Sequence, residues 1–379
     1  MSQGAGALLK QLVSEGVSPW LSARDPAEFD TGARYPVLGG HFHNALVPAG
    51  STPDQARRAC DLLMPVFEVS RGTVGHVSVP VPPRWAHDAR ALAAAARALH
   101  GAVGRPNALI RMPMTPAGVE ALADCLADGV GVHAALVFSG ERYAEVLDAY
   151  VAGLERSLAS GRPLGDATMV ASFPVGLFDR EVGARLDRLG VPQDDQVRGA
   201  AGLAVARRMY RLREERLSGD WWRVLRANGA LQPRLLWGTG ADGGVGALVG
   251  WNTALALSVE TLEAAARDPA LTGDTLLNAD EEAACALRAL ERLGVRAGGG
   301  AGGGGGPPRA PPPPPPRGPG GGGARGGGGG GGGRAGGGGA GGAAARGAPP
   351  PHGRAVRTGS VPASDPGTGF ASAPAAELP

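Results

Sequence analysis

Arg105-Pro106-Asn107-Ala108-Leu109-Ile110-Arg111-Met112-Pro113-Met114 is the stretch on which the fold turns. Ala108 to Ile110 is a short apolar run closed by Pro113, and Thr115-Pro116 then offers an N-cap and a first helical residue. A short buried strand passing straight into a helix is one unit of a parallel α/β fold. Arg111 stands at the C-terminal end of that strand, the end at which α/β barrels place their chemistry.

The same alternation runs in both directions from this unit. Upstream, Leu8 to Glu15 has helical spacing, Trp20-Leu21 begins a strand, and Tyr35 to Val47 reads as a strand with its outgoing loop. Thr52-Pro53 caps a helix to about Phe67, Val74 to Val81 alternates as a strand, and Ala86 to His100 is alanine-rich and helical. Downstream, a helix from Pro116 to Ala127 leads to a strand from Val130 to Phe138, and Ser139 caps a helix from Glu141 to Leu158. Met169 to Pro174, Arg234 to Trp237 and Trp251 to Leu257 complete the strands. Helices are expected over 179–189, 198–216, 258–266 and 280–293. About eight strands alternating with helices over some 290 residues fit an α/β fold of the (β/α)8 TIM-barrel type, typically ~250 residues long. No glycine-rich phosphate fingerprint follows a first strand, which ranks a doubly wound open sheet lower.

The division expected is a barrel over residues 1–296 and a tail over 297–379. The tail's glycine runs, the prolines Pro311 to Pro316 and scattered Arg and Ala cannot bury apolar area, which predicts disorder. Its composition is also what GC-only codons encode. Of the formal net charge of +2, the segment after Val295 holds eight arginines against Asp365 and Glu377. The remainder is therefore mildly acidic, and nucleic acid is not an expected partner. No apolar run reaches membrane-span length, and Met1 to Lys10 lacks the pattern of a signal peptide. A cytoplasmic protein without a membrane partner is expected; the oligomeric state is left unknown. Cys60, Cys125 and Cys285 form no CxxC pair and read as buried, reduced thiols. Lys10 is the only lysine among the 37 basic residues.

Several segments together resemble the transaldolase family. Arg105 to Met114 is similar to its strand Arg-Pro-Asn-x-Leu-Ile-Lys-Ile-Pro-Ala-Thr, and Val137-Phe138-Ser139-Gly140-Glu141-Arg142-Tyr143 to its Ile-Phe-Ser-x-Glu-Arg-Tyr segment. Val170-Ala171-Ser172-Phe173, Gly202-Leu203-Ala204 with Tyr210, Arg234-Leu235-Leu236-Trp237 and Asn252-Thr253 with Glu260-Thr261-Leu262-Glu263 add further matches. The resemblance covers most of residues 7–296. It implies a (β/α)8 barrel, needing no cofactor, that moves a dihydroxyacetone unit between sugar phosphates in the pentose phosphate pathway. The donors and acceptors include sedoheptulose 7-phosphate and glyceraldehyde 3-phosphate.

Carried over residue by residue, the same resemblance points to an impaired or inactive member. Arg111 falls at the Schiff-base lysine, and a guanidinium cannot shed its proton, attack a carbonyl and dehydrate to an imine. Ser22 falls at the first-strand acid–base Asp and Pro80 at the third-strand Glu; neither moves a proton between useful states. Among substrate-binding positions, His133 and Ala135 stand for an Asn and a Thr, Ser172 matches a Ser, and Leu177 replaces a phosphate-binding Arg. A further basic position falls near Asp242, and Asn44 matches the second-strand Asn given a one-residue insertion. Sugar phosphate binding is therefore expected to be weakened.

The residues leave two other readings open. His41, His43 and His133 would supply imidazoles for a metal-assisted enzyme built on the same barrel, although no carboxylate accompanies them and ordinary polar packing explains them as well. A non-catalytic binding or scaffold protein is the other. Trp221-Trp222 reads as a helix anchor rather than a ligand platform.

Overall fold

A computed structural model describes residues 2–25, 29, 42–192, 197–239, 244–267 and 271–295. Eight parallel strands close into a barrel in chain order: β1 (Val17–Ser22), β2 (Asn44–Leu46), β3 (Val77–Pro80), β4 (Ala108–Pro113), β5 (Val132–Ala135), β6 (Met169–Phe173), β7 (Arg234–Gly238) and β8 (Thr253–Leu257). The seam pairs Val17 to Leu21 of β1 with Thr253 to Leu257 of β8. The α-helices among the described residues are α1 (Gln3–Ser14), α2 (Pro53–Val69), α3 (Ala89–Val103), α4 (Pro116–Ala127), α5 (Gly140–Ala159), α6 (Val175–Arg188), α7 (Ala201–Arg216), α8 (Asp220–Ala227), α9 (Val259–Ala265) and α10 (Asp280–Arg292). The expected (β/α)8 TIM barrel is thus the observed fold. The tail beyond 296 lies outside the described residues.

Local chemistry explains why the chain turns where it does. Thr52 and Gln55 form a reciprocal capping box at α2, while Thr115, Ser139 and Ser258 each accept a backbone N–H in the first turns of α4, α5 and α9. Each such cap is worth about 1 kcal/mol and stops the preceding strand from running on. Gly118 in α4 is required by close approach: a Cβ there would stand 2.0 Å from the carbonyl oxygen of Pro113, so the helix lies directly on the end of β4.

Several boundaries differ from those expected. Pro83–Trp85 forms a 3-10 turn and Asp88 caps α3, so that helix begins at Ala89 rather than Ala86. α6 begins at Val175, directly after Pro174, four residues before the expected start. α8 was not expected at all; Trp222 is buried against Tyr150 while Trp221 is half-exposed and donates to Glu155 (2.7 Å). Cys60 and Cys125 are buried, but Cys285 is exposed on α10, contrary to expectation.

Outward-facing strand residues such as Val79, Ile110, Met112, Ala134, Ala171 and Leu255 pack against the helices in one continuous core. The inward set is a separate, smaller cluster of Trp20, Leu46, Leu109, Val170, Leu236 and Ala254. This plug divides the barrel interior into a C-terminal rim and an N-terminal base. No helix of the described residues is long and apolar enough to cross a membrane.

Candidate functional site

Side-chain alternation along β4 puts Leu109 and Arg111 on the same inward face, Leu109 in the plug and Arg111 above it. Register sets Arg111 beside Pro80 on one side and His133 on the other. The guanidinium donates from one Nη to the carbonyl oxygen of Val47, just past β2, at 2.8 Å. Among the described residues no carboxylate pairs with it. Burial lowers its pKa to about 10, so it is still cationic at neutral pH.

Among the described residues, the other expected rim positions are Ser22, Pro80, Ala135, Ser172 and Leu177. Ser22 and Pro80 are the last residues of β1 and β3; both are partly exposed. Ala135 ends β5 with its carbonyl accepting from the Met114 N–H (2.9 Å). Ser172 is partly exposed on β6, and Leu177 is partly buried in the first turn of α6. Asp242 lies outside the described residues.

His133 sits lower and is buried. Its Nδ1 is 2.7 Å from the Ser78 hydroxyl, its ring meets Trp20 edge-on at 6.3 Å, and Nε2 has no partner. Burial first, and then the Arg111 charge, push its pKa well below the usual imidazole value, so it is neutral. A neutral, hydroxyl-bonded imidazole holds the interior together rather than shuttling protons.

Two expectations about the second strand are corrected. The sequence reading placed His41 to His43 in a strand with an outgoing loop, but β2 is only three residues long and His43 precedes it. His43 is therefore at the N-terminal base, away from the rim, and His41 lies outside the described residues. No group of three potential metal ligands assembles among the described residues. Asn44 likewise sits at the base: fully buried, it donates to Ser18 (2.8 Å) and accepts the His76 N–H (2.9 Å). The rim end of β2 is held by Leu46 and the Val47 carbonyl instead.

Ser78 and Val47 were missed by the sequence reading. Ser78 could have been found, because it lies two residues before Pro80 and so on the same face of β3. The Val47 carbonyl has no side-chain signature. A cavity of about 400 Å³ opens at the base, lined by Ser18, Trp20, His43, His76, Arg234 and Asn252 among others.

Comparison with known proteins agrees with this geometry. The family model described as Transaldolase/Fructose-6-phosphate aldolase matches residues 52–298. A transaldolase of Parafrankia sp. is 39% identical over 252 residues, covering 64% of this chain and 68% of the relative. Transaldolase 2 of Streptomyces avermitilis is 40% identical over a stretch with the same coverage. A transaldolase of Arthrobacter sp. is 38% identical over 327 residues, covering 76% of this chain and 88% of the relative. A closed barrel, with this match running from the cap of α2 past the end of α10, makes the chain a member of the transaldolase/fructose-6-phosphate aldolase family.

Proposed function

We propose that this chain is a catalytically impaired transaldolase-family barrel, a pseudoenzyme whose rim binds a sugar phosphate weakly without forming a Schiff base. The observation that carries the reading is Arg111, fixed to the Val47 carbonyl at the inward, C-terminal end of β4 where the family resemblance expects an amine. A guanidinium remains protonated and delocalised there, so it cannot condense with a carbonyl. The chain's single lysine, Lys10, is exposed on α1, which packs beside β1 and α9. Ser22 and Pro80 give no acid–base pair, and Leu177 gives no phosphate clamp; Ser172 and Arg111 remain as donors for an anionic sugar. The sugar-phosphate chemistry of the family also supports a cytoplasmic location and a past in the pentose phosphate pathway.

Borohydride reduction with fructose 6-phosphate tests this. The expected result is no mass adduct on the full chain and no transfer to glyceraldehyde 3-phosphate. A sugar adduct at any residue, or measurable turnover, overturns the reading. Arg111→Lys is expected to leave transfer undetectable, because Ser22 and Pro80 still supply no proton; recovered turnover would show that those positions are not decisive.

A further inference from the structure

The base of the barrel holds a second inward-facing arginine, partly buried like Arg111. Arg234 opens β7 and lines the 400 Å³ cavity. Its Nε donates to Asn252 Oδ1 at 3.1 Å, and among the described residues nothing else accepts from it. Among the described residues no Asp or Glu lines the cavity, whereas His43 and His76 do. The charge that acts on Arg234 is another cation, Arg213, which is itself paired with Glu214 at 2.9 Å and donates to the backbone carbonyls of Trp251 and Asn252 at 2.9 and 2.8 Å. Trp20, fully buried on the wall, keeps an indole N–H without an acceptor.

A buried guanidinium without a counter-charge is costly, and proteins retain one where an anion compensates it. From this cluster we infer that the base cavity is a binding site for a small tetrahedral oxyanion, a phosphate or the phosphoryl group of a small phosphate ester. Arg234 offers both terminal nitrogens as a fork to the cavity that it lines. Such a fork matches two oxygens of a phosphoryl group. The volume exceeds what phosphate alone fills and lies within the range of small-metabolite pockets. Burial keeps His43 and His76 mostly neutral, so Arg234 is the cation that selects the charge. The site is separated from Arg111 by the apolar plug, and it does not depend on what the rim does.

Calorimetric titration of the full chain with inorganic phosphate, and in a second arm with glycerol phosphate, tests the inference. One saturable site is expected in at least one arm; tighter binding of the ester would assign the remaining volume to an organic body, and equal binding would assign the site to free phosphate. Arg234→Met is expected to weaken binding roughly tenfold or more. Thr73→Glu, an exposed change on the cavity wall that spares the interior, should do the same by adding a repulsive carboxylate. Arg111→Met should change affinity by no more than about twofold, since distant sites act independently. Absence of saturable binding at millimolar concentrations of both probes overturns the inference. So does binding that survives Thr73→Glu and is lost in Arg111→Met.

Discussion

The two ends of this barrel carry the same residue type in two different settings. At the rim, Arg111 is tied to a backbone carbonyl and its neighbours across the strands are Pro80 and His133. At the base, Arg234 is tied to an amide side chain and lines a cavity with two imidazoles on its wall. Both guanidinium pKa values fall to about 10 through burial. What separates them is the company they keep: among the described residues, Arg111 has Pro80 and a neutral, buried His133 beside it, whereas the cavity that Arg234 lines has imidazoles on its wall and no carboxylate. On the function proposed above, one fold sheds chemistry at one end of its strands while the other end keeps a polar architecture.

The largest effect is expected from removing the wall between the two ends. Leu109→Ala should cost about 4 kcal/mol, because the plug around it cannot collapse in a closed sheet. Chemical denaturation gives the number. A cost under about 1 kcal/mol would mean that the plug is slack and the two ends communicate.

Acid should tell the ends apart next. His76 is 4% exposed and its pKa is lowered to about 4 from 6.5, chiefly by burial. The unfolded chain then binds the proton more readily, so stability is intact above about pH 6.5 and falls as the pH drops towards 4. The loss from this residue is on the order of 3 kcal/mol. His133 adds loss in the same direction. His76→Gln should flatten the pH profile of unfolding free energy, whereas Arg111→Met should leave its base-derived part unchanged. An unchanged profile in His76→Gln would place the acid-sensitive group elsewhere.

The smallest effect sharpens the picture of the rim. Leu136, immediately after β5, has φ of 61°, a left-handed conformation that costs a residue with a Cβ roughly 1 kcal/mol. It is also exposed, so its side chain contributes little packing. Leu136→Gly should raise stability by about 0.5 kcal/mol, net of glycine's extra freedom when unfolded. A loss of stability on thermal unfolding would show that the Leu136 side chain holds the rim loop.

How much of this was legible in the sequence follows from what side chains can signal locally. Thr115-Pro116 and Thr52-Pro53 announce a strand's end and a helix's start within two residues, so the succession of barrel units could be read directly. The position of Arg111 followed from Pro113 closing its strand. β2 could not be read in the same way. Three residues give too little alternation to fix where a strand begins, and a shift of a few positions moved Asn44 and His43 from one end of the barrel to the other. The pairing of His133 with Ser78 joins residues of two strands that are not neighbours, which only barrel closure determines. Arg234 was visible as a strand's first residue, but its missing counter-charge is a three-dimensional fact.

The seam between β1 and β8 has a consequence for biosynthesis. The first strand emerges from the ribosome early, yet one of its edges stays unpaired until Leu257 has been translated, on the order of ten seconds or more later at ordinary elongation rates. During that interval the nascent chain displays open β-edges to its surroundings, which favours escort by a holding chaperone. The sheet can shut only after Leu257 has emerged from the ribosome.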